Sequence, residues 1–292
     1  MENPKIKSLG YRLPGQIVLN SYFSISPEVI ITERNIKASI KMVIVKWILI
    51  FTVVIAGWLP ARSQPSDKIV INRDIQLIPL GDSLYIHETW DELEGYGRFS
   101  SNGLVLIKGG RALMVDTPMD NEKTRRLTSY ITDSLKATVT KLIIGHFHDD
   151  CLGGLGYLQS IGVEAVAHSM TIRICQEQGL PIPQTPFSDA LNFDFNGEEI
   201  ECRYFGAGHS ADNITVWLPG RKVLFGGCLI KSMDSTGLGN LSDAVVADWD
   251  TTVGKLLKQY SGIQTVVPGH GSAGGAELLP HTIQLVEKQR MK

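Results

Sequence analysis

Residues 146–151 read His-Phe-His-Asp-Asp-Cys, two imidazoles, two carboxylates and a thiol in six positions. Zinc takes these three ligand types in tetrahedral geometry. Three further residues of the same kinds, His209, Cys228 and His270, lie far along the chain. All occur in one local context. His146 follows Gly145 at the end of KLIIG, His209 follows Gly208 after CRYFGAG, Cys228 follows Gly227 in KVLFGGC, and His270 follows Gly269 after TVVPG. Buried strands hold positions fixed, and open α/β sheets gather their sites at strand ends. Glycine lets the chain turn sharply there. A single glycine before a histidine is an ordinary turn, but four separate cases point to one shared centre.

The chemistry of such a set is hydrolytic. Three histidines and a water complete one catalytic zinc site; an aspartate, a cysteine, a histidine and a water complete a second. Zinc lowers the pKa of its water toward about 7, so two adjacent metals supply hydroxide at neutral pH. No GxSxG stretch offers a serine nucleophile instead. Cys151 is soft enough to bind zinc as well. The other three histidines, His87, His168 and His281, sit in plain strand or helix settings and read as structural. Asp149 reads as a solvated turn residue. Cys175 and Cys202 are left open as a possible pair, because sequence carries no distance.

The elements that must position these residues follow from periodicity. Residues 75–90 and 102–118 read as hairpins turning at Gly81-Asp82 and Gly109-Gly110. The polar segment DELEGYGRFSS between them reads as a mobile loop. Leu127, Ile131 and Leu135 repeat at helical spacing within residues 121–135. Strands are expected at 138–145, VEAVAH, EIECRYFGAG, NITVWLPG, KVLFGGCLI and IQTVVPGHG. Helices are expected at GLGYLQSIG, at SMTIRICQEQG with Ser169 as N-cap and Gly179 past its end, at 248–260, and at AELLPHTIQLVEKQR. Pro280 falls in the first turn of that last helix, where proline is tolerated. Strands first, then mixed helices and strands, fit layered α/β packing.

The 292 residues carry a formal net charge of -2, which excludes the basic footprint of a nucleic-acid binder. The apolar run Trp47–Leu59, preceded by Lys41 and Lys46 and followed by Ala61 and Ser63, has the parts of a secretory signal cut before Gln64. At 13 residues it is short of the roughly 20 a membrane span needs. The expected organisation is an overlong or disordered extension over 1–41, a signal peptide from Met42 to Ser63, and one catalytic domain over 64–292. Export to the periplasm follows from that reading.

In HFHDDCLGG, GHSADNITVWLPGRKVLFGGCLIKS, GLGNLSDA and VVPGHG the sequence resembles the metallo-β-lactamases, specifically the first subclass of class B. The resemblance runs over about residues 70–290. It implies an α/β fold, a four-layer αβ/βα sandwich with the zinc site at one edge of two sheets. It implies two zinc ions per chain. His146, His148 and His209 resemble the ligands of the first, and Asp150, Cys228 and His270 those of the second. Lys231 resembles the lysine that pairs with the substrate carboxylate. Asn240 resembles the asparagine beside the lactam carbonyl, and Asp116 a supporting carboxylate. Trp90–Gly97 resembles the flap that closes over substrate. Gly145 departs from the larger or polar residue that many members carry, which bears on substrate preference. The implied activity is hydrolysis of the β-lactam amide of penicillins, cephalosporins and carbapenems by a monomer, with a small-molecule substrate, no nucleic acid and no membrane span in the mature chain. Thioesterases of glyoxalase type resemble an HxHxDH pattern with a later bridging aspartate. Cys151 and Cys228 stand in those two places and favour the lactamase. A non-catalytic periplasmic zinc-binding protein is the other alternative.

Overall fold

The computed structural model describes residues 68–95 and 97–292; the signal-peptide and extension segments lie outside the described residues. The chain opens with β1 (Ile69–Asn72), β2 (Ile75–Gly81), β3 (Leu84–Leu93), β4 (Gly97–Lys108) and β5 (Arg111–Val115). Each strand pairs antiparallel with the next. Tight turns permit this: Asp82 and Ser83 both take positive φ, as do Gly109 and Gly110. The first turn therefore falls one residue later than the expected Gly81-Asp82, because Gly81 still pairs with Leu84.

Helices then carry the chain over to parallel neighbours, as parallel pairing requires. α1 (Asn121–Asp133) leads to β6 (Thr138–Ile144). The short helices α2 (Asp149–Leu152) and α3 (Leu155–Ser160) lead to β7 (Glu164–His168), and α4 (Ser169–Gln178) leads to β8 (Thr185–Phe187). The result is one eight-stranded sheet in chain order. A second sheet of five strands follows: β9 (Ala190–Phe195), β10 (Glu198–Arg203), β11 (Thr215–Leu218), β12 (Val223–Gly227) and β13 (Thr265–Pro268). Only β12 and β13 run parallel here, with α5 (Val246–Gln259) between them in sequence. α6 (Leu278–Arg290) closes the chain.

Side-chain alternation along the strands sets the layers. On β5, Ala112 and Met114 face the helices α1–α4, where they meet Leu127, Ile131, Leu155 and Leu158. Leu113 and Val115 face the other way and meet Val216, Phe225 and Val267 of the second sheet. The far face of that sheet presents Trp217, Leu224 and Val266 to Trp249, Val253 and Leu279 of α5 and α6. Helix, sheet, sheet, helix is the expected four-layer sandwich.

Three expectations are corrected. Within the polar segment, residues 91–93 and 97–101 are paired strand, with Asp91 opposite Phe99 and Leu93 opposite Gly97. Backbone pairing continues there because its charged side chains find partners, Asp91 with Lys123 and Arg98 with Asp74. Ser169 does not cap α4; His168 does, its Nδ1 accepting from the Met170 N–H at 3.3 Å, while Ser169 Oγ donates to the Phe187 carbonyl. Cys175 and Cys202 are both free, and they belong to cores on opposite faces of the eight-stranded sheet. Among the described residues no helix is long and apolar enough to cross a membrane.

Phe225 is fully buried between the sheets, three residues before Cys228. Phe225→Ala is expected to cost about 3–5 kcal/mol of stability. Urea unfolding of the purified variant checks this.

Candidate metal centre

Parallel pairing brings the ends of β12 and β13 level, since Gly227 lies opposite Pro268. Cys228 and His270 therefore emerge side by side. β5 and β6 are likewise parallel, with Val115 opposite Ile143, which places Asp116 beside Gly145 and His146. Two sets of hydrogen bonds join the sheets at this edge. The Ile214 N–H donates to the Gly145 carbonyl at 2.9 Å, tying the loop that carries His209 to the end of β6. From β4, buried Asn102 donates through Nδ2 to the Pro268 and Gly271 carbonyls at 2.9 and 2.8 Å. Its N–H donates to the Gly269 carbonyl at 2.8 Å. Close approach explains Gly269: a Cβ there would stand 2.4 Å from Cys228 Sγ.

Two ligand groups form under one opening. In the first, His148 Nδ1 lies 2.9 Å from His146 Nε2 and 3.2 Å from His209 Nε2. In the second, Cys228 Sγ lies 3.4 Å from both Asp150 Oδ2 and His270 Nε2, which are 3.2 Å apart. Ligands at about 2.0–2.3 Å from a tetrahedral zinc stand about 3.3–3.8 Å from one another. The donor atoms are thus already near the spacing a zinc ion demands, and their types match it. The outer ring nitrogens are held too. His148 Nε2 is 3.0 Å from Asp243 Oδ2, and His270 Nδ1 is 2.8 Å from the Ser100 carbonyl. Such contacts fix the tautomer of a metal-ligating histidine.

Asp116 sits beneath the centre. It takes φ +60°, a left-handed conformation that aspartate tolerates better than most residues. Its Oδ1 accepts the Gly145 N–H at 2.5 Å. A Cβ on Gly145 would stand 2.8 Å from Asp116 Oδ2. Gly145 thus makes room for that carboxylate, and it is not among the residues that line the cleft. His87, read as structural, holds the Asp116 carbonyl through Nε2 at 3.2 Å. Burial pushes the Asp116 carboxyl up to about 7 and the His87 imidazole down to about 4. Cys151 is buried, with Sγ 3.0 Å from His146 Nδ1. It forms a third grouping with His146 and Asp150, yet His146 turns Nε2 toward His148 and so gives that nitrogen to the three-histidine group.

Charge shapes the centre. Burial opposes ionisation of Asp150, but the His270 hydrogen bond and the charges of His146 and His270 hold its carboxyl far below the usual range. Burial likewise opposes protonation of His270 and His146, yet the negative Cys228 and Asp150 raise both. Burial and the neighbouring His146 lower His209. The Cys151 hydrogen bond and the charge of His270 lower the Cys228 thiol against its burial.

The centre opens into a cleft of about 610 Å³. Leu93, Phe99 and Met119 form one wall, and the segment from Gly237 to Asn240 faces it. Lys231 lines it too, buried, with Nζ 5.3 Å above the Trp249 ring. Asn240 is exposed, and its Oδ1 accepts the Ser242 N–H at 3.1 Å. Asp149, read as a turn residue, opens α2 and also lines the cleft. Asn102, Asp243 and Lys123 escaped the sequence reading, because nothing in their local spacing marks them.

A double ligand cluster at the edge of an αβ/βα sandwich defines a metallohydrolase. The chain belongs to the metallo-β-lactamase superfamily, whose pattern matches residues 96–270. It is similar to the "Metallo-beta-lactamase type 2" of Bacteroides fragilis, 42% identical over 81% of this chain and 95% of that one. That of Bacillus cereus is 36% identical over 78% and 89%. Among solved structures, the metallo-β-lactamase from Pontibacter korlensis superposes with a TM-score of 0.71 at 33% identity, covering 74% of this chain and all of that one. FIM-1 from Pseudomonas aeruginosa, in its mono-zinc form, gives 0.68 at 31%, covering 76% and 100%.

His146 and His270 hold protons to higher pH than ordinary imidazoles when no metal is bound, and a proton on either competes with zinc. Zinc affinity is expected to fall as pH falls, starting above the usual histidine range, and zinc loading is expected to release protons. Zinc content after dialysis at stepped pH, with pH-stat titration, measures both.

Proposed function

We propose that this chain is an exported hydrolase that opens the β-lactam amide with two zinc ions. The observation that carries the reading is the pair of ligand groups, three histidines beside Asp150, Cys228 and His270, beneath a cleft lined by Lys231 and Asn240. His146, His148 and His209 would hold one zinc, and Asp150, Cys228 and His270 the other. When bound, zinc polarises the lactam carbonyl and lowers the pKa of its water toward about 7.

The chain's own groups do the rest. Lys231 meets the substrate carboxylate as a point charge. Burial lowers its pKa, while Cys228 and Asp150 oppose that and favour the cation. Asn240 has its oxygen engaged by Ser242, which leaves its amide N–H groups for the lactam oxygen. Asp150 stays ionised and orients the attacking water by accepting its hydrogen bond. Asp116 supports the end of β6 on which His146 and His148 stand. The apolar wall of Leu93, Phe99 and Met119 accepts substituents of the lactam ring.

Turnover of a chromogenic cephalosporin is expected to vanish on chelation and to return with added zinc. Cys228→Ala is expected to lower the zinc content from two ions toward one per chain and to cut kcat/KM at least about tenfold. Full activity with two bound ions in that variant would remove Cys228 from the site. The export reading rests on the Trp47–Leu59 apolar run with Ala61 and Ser63 after it. The mature periplasmic protein is expected to begin at Gln64, which N-terminal sequencing decides; a mature chain that retains residues 42–63 contradicts it.

A further inference from the structure

Side chains alternate along the β3–β4 hairpin. Asp91 pairs with Phe99, and Leu93 with Gly97, so Asp91, Leu93 and Phe99 share one face. Leu93 and Phe99 line the cleft, and the Phe99 ring meets His270 edge-on at 6.0 Å. Asp91 stands on that same face and ends at Lys123 of α1, in ion-pair contact with its Nζ. Lys123 Nζ also lies 3.2 Å from Asp120 Oδ2, and Asp120 is the N-cap of α1, next to the cleft residue Met119.

One cation thus joins the hairpin to the loop that carries Met119 on the cleft wall. Lys123 and Asp91 are only 21% and 11% exposed, so salt screens the pair less than a surface one. Burial opposes the charge on Lys123, and the two aspartates outweigh it. The hairpin's other face has its own anchor. Arg98 Nη1 lies 2.9 Å from Asp74 Oδ1, and Nη2 donates to the Arg73 carbonyl at 2.9 Å. That anchor is more exposed and does not touch the cleft.

We propose that Lys123 is a positioning residue for substrate: it holds the cleft-facing side of the hairpin over the metal centre and so sets affinity for β-lactams with apolar substituents. This rests on the lactam-hydrolysis reading above. Without the cation, Asp91 would face a half-buried gap unpaired, and the hairpin would lift its inner face first. Lys123 touches neither the ligand groups nor the substrate carboxylate, so the chemical step is left alone.

The test compares zinc-loaded wild type, Lys123→Met and Lys123→Arg on two penicillins, one with an aromatic side chain and one with none. For Lys123→Met, KM for the aromatic substrate is expected to rise about fivefold, with kcat within about twofold and zinc content unchanged. KM for the bare substrate is expected to move less, and Lys123→Arg to restore most of the loss. Limited proteolysis reads the anchor without turnover. Cleavage by trypsin after Arg98 is expected to quicken about fivefold in Lys123→Met. Unchanged KM, an equal rise for both substrates, or a fall in zinc content overturns the proposal, as does unchanged cleavage. If wild type hydrolyses neither penicillin, the lactamase reading is what fails, and the cleavage rates still decide whether Lys123 anchors the hairpin.

Discussion

Asn102 joins what the rest of the centre needs joined. It sits on the first sheet, and its amide and backbone N–H hold three carbonyls of the turn that presents His270 from the second. The two ligand groups draw on both sheets, so neither can form unless the sheets meet in one register. Apolar packing between them fixes their separation but is tolerant of sliding. Buried hydrogen bonds are not, because a slip leaves each donor unpaired at about 1–3 kcal/mol. The Ile214 bond to Gly145 does the same work at the other ligand loop.

The centre is also a concentration of unsolved charge. Asp116, Asp150, Cys228 and four imidazoles crowd the floor of the cleft, with Asp116, His146 and Cys228 buried. Their mutual shifts oppose one another: imidazoles near the thiolate and carboxylate are driven toward the cation, while His209 is driven away from it. A divalent ion at each group would resolve this more completely than protons can, because it would offer two charges at a point and several ligand directions. The protein keeps its metal ligands close and prealigned, and it tolerates the repulsion and desolvation that follow.

Much of this could be read from the sequence because the ligands repeat one context, an apolar strand, a glycine, then a metal-binding side chain. The layers were legible for the same reason, since strands buried on both faces are uniformly apolar. What stayed hidden was of another kind. Asn102, Asp243 and Lys123 lie where polar residues usually mean solvent, and their partners are 95 or more residues away in the first two cases and 32 in the third. The 91–101 segment looked like a loop for a related reason. Its charges suggest exposure unless Lys123 and Asp74 are known to stand opposite them. Gly145 was legible as a departure, but its cause, the Asp116 carboxylate pressed against it, is a contact across two strands.

The last ligand, His270, arrives only 22 residues before the end of the chain, while the first lies at 146. Metal therefore cannot nucleate this fold in the way it nucleates a zinc finger, whose ligands are neighbours. The eight-stranded sheet ends at Phe187, before His209, Cys228 and His270, yet one of its apolar faces is covered by the second sheet whose strand ends carry them. The ligands are brought together by the packing of two sheets, so an ion here would meet a centre that the fold has already drawn close.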